Sequence, residues 1–193
     1  MTDRRTQLIN AVEVLTSLLR SIILKRALHT ICSDPPLNFW RVIYGNLMDV
    51  AVLEWCKLFG SDGELKQPIH WKNVADDPAM FKEALLNKLG VTDAQWVGYW
   101  EQMKKYRDLN VAHFDPRRRE IESFPTLEIA LASSYFYFSY VREELKKFGV
   151  SQYPDDIEAY GQEFANKCHE AASAALNATR HIIEPVSRGA GPV

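Results

Sequence analysis

Apolar residues recur every third or fourth position along most of the chain, the spacing that gives a helix one buried face. From Thr6 to about Ile31 they fall at Leu8, Val12, Leu15, Leu19, Ile22 and Ile23. Ser33-Asp34-Pro35-Pro36 ends that run, because a proline lacks a backbone donor and biases the residue before it away from the α region. A second helix is predicted from about Leu37 to Phe59, closed by the turn residues Gly60-Ser61-Asp62-Gly63. The stretch 64–76, with Pro68, His70 and Trp71, has no clean period and reads as a loop. Asp77 is placed to cap a short helix that has Pro78 in its first position and stops at Gly90. Thr92, with Gln95 three residues on, forms a capping-box pattern that opens a helix running to about His113, where Asp115-Pro116 breaks it. Pro125 starts a helix that carries the core positions Leu127, Leu131, Tyr135, Phe138, Val141, Leu145 and Phe148 to a stop at Gly149. Pro154-Asp155-Asp156 opens a last one, reaching about Ile182.

No segment alternates as a strand would, and nothing repeats. The expected fold is all-α, an antiparallel bundle of four to five long helices with one short extra helix. Residues 1–186 would form a single helical domain, and 187–193 a flexible tail.

Composition narrows the functions more than the fold. With 23 basic against 25 acidic residues the formal net charge is −2, so any grip on a phosphate backbone has to come from a local cluster. Cys32, Cys56 and Cys168 are odd in number and widely spaced, which argues against a disulfide framework and suits the cytoplasm. No run approaches 18 consecutive apolar residues, so no membrane span is expected, and the N-terminus lacks a signal-peptide pattern. Cys168-His169 and the scattered histidines lack metal-ligand spacing, so neither a metal nor a cofactor is expected.

One segment carries usable chemistry. At 100° per residue, Tyr106, Asn110 and His113 fall within about 60° of one another on a helix, with Arg107 roughly 120° from His113. Histidine exchanges protons near neutral pH, and arginine offers a permanent planar cation matched to phosphate oxygens. Together they suit metal-independent cleavage of RNA. His113 would handle the proton of the 2′-hydroxyl or the leaving group, and Arg107 would stabilise charge on the phosphoryl oxygens. Tyr106, Asp108 or Asn110 would orient them, and Arg117, Arg118 and Arg119 would hold flanking phosphates. The angle between Arg107 and His113 favours a helix that tightens or frays near Asp115, or a second subunit that completes the site. The plainer alternative is a histidine favoured by the helix dipole, a solvent-facing arginine and a solvated charge run. Tyr135-Phe136-Tyr137-Phe138 reads as core plus interface, and Trp40, Trp55, Trp96 and Trp100 as core or interface anchors.

The run Arg107-Asp108, four residues, then His113, in an all-helical chain of this size, resembles the HEPN superfamily, whose motif is Arg, a polar residue, then His. Trp55-Cys56-Lys57-Leu58-Phe59-Gly60 and His70-Trp71-Lys72 are similar to its AbiU2-like branch, associated with phage abortive infection. The resemblance implies a bundle that dimerises across the motif helices and pairs two Arg/His sets in one cleft. It also implies metal-independent endoribonuclease activity in phage defence or a toxin–antitoxin system, with an antitoxin or defence partner. Other members of the superfamily serve as catalytically silent binding or dimerisation modules for a protein or nucleotide. Asp108 stands where the family more commonly carries Asn, and adds a negative charge beside the arginine.

Overall fold

The computed structural model describes residues 3–35, 37–60, 67–111 and 124–184. Among them every regular element is helical: α1 (Arg4–Ile31), α2 (Asn38–Phe59), α3 (Trp71–Val74), α4 (Pro78–Leu89), α5 (Asp93–Tyr106), α6 (Glu128–Lys146) and α7 (Ile157–Thr179). The helix ends follow local sequence. Asp77 accepts from the backbone N–H groups of Ala79 and Met80 at 2.9 and 3.0 Å, ahead of Pro78 in the first turn. Gly90 ends α4 at φ 65°, a left-handed conformation in which any Cβ is strained. Thr92 and Gln95 exchange hydrogen bonds of 2.8 and 3.2 Å as a complete capping box.

The α2 N-terminus is closed from a distance. Its cap residue Leu37 offers no side-chain acceptor, and the Glu184 carboxylate instead accepts from the N–H groups of Asn38 and Phe39 at 2.7 and 3.2 Å. The last described residue is thereby tied to the start of the second helix. Residues 187–193, expected to form a tail, lie outside the described residues.

Successive long helices alternate in direction. Tyr44 of α2 meets His29 near the end of α1, whereas Gln7 at the start of α1 bonds the Pro68 carbonyl just beyond α2. α5 runs back along α2, from Trp100 against Phe59 to Tyr106 against Asp49. α6 lies alongside α2 in the same sense, with Ser133 against Trp55 and Tyr137 against Phe59. α7 returns beside α1, with Tyr160 against Arg20 and Ala172 packed with Leu28. Five long helices, the short α4 and the single turn α3 thus realise the expected bundle.

One core joins all of them, from Leu8 and Leu15 of α1 to Ile157 of α7. Trp55 sits at its centre, fully buried, stacked on Phe59 at 5.3 Å and edge-on to Tyr99, with its indole N–H donated to Ser133. Tyr137 and Phe138 are buried as well, while Tyr135 and Phe136 pack at the core's edge.

Three expectations need correction. The loop predicted over 64–76 contains α3, because Ile69, His70, Trp71 and Val74 turn inward together and one helical turn satisfies their backbone. The α-helix predicted to about His113 stops at Tyr106. Finally, Phe148, expected among the core positions of its helix, is exposed just past the end of α6. By length and composition α1 could cross a membrane, a test that a buried core helix also passes. Its apolarity has a packing cause, since α2, α6 and α7 all lie against it and no single face suffices.

Candidate active site at the end of α5

α5 hands over to a π-helical turn, Arg107–Val111. Such wide turns are rare, occur mostly as single turns inside or beside α-helices, and are frequent at functional sites. Here the widening brings both Leu109, which is buried, and Val111, which packs on the core, to the inside. Of the two residues one turn beyond Tyr106, Leu109 takes the inner position and Asn110 faces solvent.

The predicted polar stripe is therefore split. Tyr106 points inward, 6% exposed, and donates its hydroxyl to Asp49 Oδ1 of α2 at 2.7 Å. Burial, and then that carboxylate, hold the Tyr106 hydroxyl well above its usual pKa, so it stays a donor at neutral pH. The Asn110 side chain makes no hydrogen bond to another described residue. The tightening or fraying that the helical angles favour near Asp115 falls outside the described residues.

Arg107 is the residue the turn positions most firmly. Its Nε and Nη2 both donate to Asp108 Oδ1, at 2.8 and 2.6 Å, and its side chain is 22% exposed against 46% for Asp108. The inner side of the guanidinium lies against the Cys56 thiol, whose pKa burial pushes up to about 11, the arginine opposing that rise. Cys56 is thus a neutral, buried neighbour with the character of a packing residue. Asp108 acts on Arg107, one of the two orienting tasks its sequence position suggested.

His113, Arg117, Arg118 and Arg119 lie outside the described residues. Among the described residues no group of three or more His, Cys, Asp or Glu side chains could hold a metal ion.

Two supports of the site escape sequence reasoning. Asp49 looks like one more exposed acid on α2, yet it anchors Tyr106 and faces Lys25 of α1, whose pKa falls to about 8. The Lys25 ammonium lies 3.3 Å over the Tyr44 ring, and that tyrosine's hydroxyl bonds His29 Nδ1 at 3.0 Å. A belt of polar groups thus runs from α1 across α2 to the π-turn. His70 is the second case. It is 1% exposed, accepts from the Lys72 N–H at Nδ1 and so directs Nε2–H to the Gly60 carbonyl at 3.0 Å. From the sequence, position 70 reads as part of a loop. Its ring pins α3 to the end of α2, beside the Phe59 carbonyl that receives the Trp100 indole N–H.

Set against known protein families, curated proteins and solved structures, the chain matches none.

Proposed function

We propose that the chain is a metal-independent endoribonuclease of the HEPN type, acting as a cytoplasmic homodimer in phage defence or a toxin–antitoxin system. The observation that carries the reading is Arg107, a partly exposed guanidinium held by Asp108 on a π-helical turn at a helix end. A cation fixed in place before substrate arrives can stabilise developing charge without reorganising during the reaction. In this reading His113 takes the proton from the ribose 2′-hydroxyl, the 2′-oxygen attacks the adjacent phosphorus, and the 5′-oxygen leaves with a proton returned to it. Arg107 neutralises the phosphoryl oxygens as charge builds. Asp108 positions Arg107, Tyr106 braces the turn against α2, and Arg117 and Arg118 engage flanking phosphates. A second subunit supplies the facing half of the cleft.

One observation favours a silent binding module instead. Two of Arg107's donors converge on a single Asp108 oxygen, which offsets part of the charge a phosphate would meet. Incubation of purified protein with RNA in EDTA separates the two. The first reading expects cutting by the wild type and its loss in Arg107→Ala and His113→Ala. If both variants cut as well as the wild type, the assignment is wrong. Saturable binding of RNA, a nucleotide or a partner protein without cutting, abolished by Arg107→Ala, supports the module.

A further inference from the structure

Between α1, the 152–156 connection and the start of α7 lies a half-open cavity of about 670 Å³, within the usual range of small-molecule pockets. None of its lining residues comes from α2, α5 or the π-turn, so it is separate from the Arg107 site. Two opposite charges face it, both from α1. Arg20 is fixed in advance: its Nε donates to the Tyr160 hydroxyl at 2.8 Å, and its guanidinium lies 5.9 and 6.0 Å from the Tyr160 and Phe164 ring centroids. Its terminal nitrogens have no hydrogen-bond partner among the described residues, which leaves a planar fork open to a carboxylate. The Glu13 carboxylate is likewise without a hydrogen bond or ion pair among the described residues. Burial, and then the Glu13 charge, hold the Tyr153 hydroxyl above its ordinary pKa, which sets that carboxylate close to this wall of the cavity.

Glu13 and Arg20 are two helical turns apart, about 10 Å along the axis. The Ser17 hydroxyl lies between them and buried Phe138 forms the floor. With one anion and one cation on its walls, the cavity suits neither a phosphate ester, which Glu13 would repel, nor a polyamine, which Arg20 would repel. A molecule with one ammonium and one carboxylate satisfies both. An extended peptide advances roughly 3.3–3.6 Å per residue, so a tripeptide sets its charged ends about 10 Å apart.

We propose that this cavity binds a short peptide zwitterion, with its ammonium at Glu13, its carboxylate in the Arg20 fork and an apolar central side chain against Tyr153. The test titrates Gly-Phe-Gly with free termini into the full chain, followed by calorimetry and amide NMR. The expected result is saturable binding with shifts at Ser17, Tyr153 and Tyr160. N-acetylation and C-amidation should each weaken binding by about tenfold or more. Arg20→Gln should bind free and amidated peptide alike while remaining sensitive to N-acetylation. No saturable binding at millimolar peptide, or equal binding of free and capped forms to the wild type, overturns the proposal. The capped peptides are compared on the wild-type protein, so this outcome does not depend on how the variant folds, and RNA cleavage has no bearing on it.

Discussion

Asp108 and Lys25 show how single charges are set around the π-turn. Asp108 orients Arg107 and offsets its charge at once. Because the carboxylate is nearly half exposed, solvent screens the pair, and replacing the acid should change phosphate affinity only modestly. Asp108→Asn is expected to tighten RNA binding about two- to fivefold, read by filter binding at fixed salt. Weaker binding would show that orientation of Arg107 outweighs its neutralisation. Lys25 makes a pH prediction. Burial lowers its pKa from an ordinary 10.5 to about 8, with Asp49 opposing the fall. Between those values the unfolded chain binds more protons than the folded one, so this group's contribution to stability rises with pH, and below about 8 its cost is present in full. Lys25→Met should therefore be more stable than the wild type at pH 7, and the gap should narrow from pH 8 to pH 10 in urea denaturation. A constant or widening gap would contradict the buried-ammonium assignment.

At the scale of elements, what could be read from the chain depended on whether the cause was local. Asp77, Pro78, Gly90, Thr92 and Gln95 act on their own helix, and they mark its ends in the sequence as they do in the fold. The α2 cap was not legible, because its acceptor, Glu184, is supplied from the other end of the chain. Glu184→Ala should lower stability by about 0.5–2 kcal/mol, as loss of a helix cap does, measured by thermal unfolding. The π-turn was hidden for a related reason: periodicity assumes an α-helix, whereas packing of Leu109 and Val111 on the core accompanies the wider turn. Gly161 is another packing requirement with no local signature. A Cβ there would collide with the Tyr135 hydroxyl and press on Ile23, where α7 meets α6 and α1. Gly161→Ala is expected to cost about 1–3 kcal/mol by overpacking, read as a shift in the denaturation midpoint. An unchanged midpoint would mean that Tyr135 moves aside freely.

For the whole molecule, alternating helix direction was legible because the breaks between amphipathic runs are short. The special status of α1 was not, since an apolar run looks the same in a central helix and in one that meets lipid. Of the candidate site, the sequence marked Arg107 and its oriented neighbour Asp108, while the inward turn of Tyr106 and its bond to Asp49 depend on how α5 packs on α2. The proposed function has this helix end cutting RNA through Arg107 and His113 without a metal. The most direct measurement is the chemistry of the product ends when RNA is incubated with the chain in excess EDTA. Attack by the 2′-oxygen predicts 2′,3′-cyclic phosphate and 5′-hydroxyl ends, formed by the wild type and by neither Arg107→Ala nor His113→Ala. Absence of cutting, 5′-phosphate ends, or undiminished cutting by either variant would contradict it.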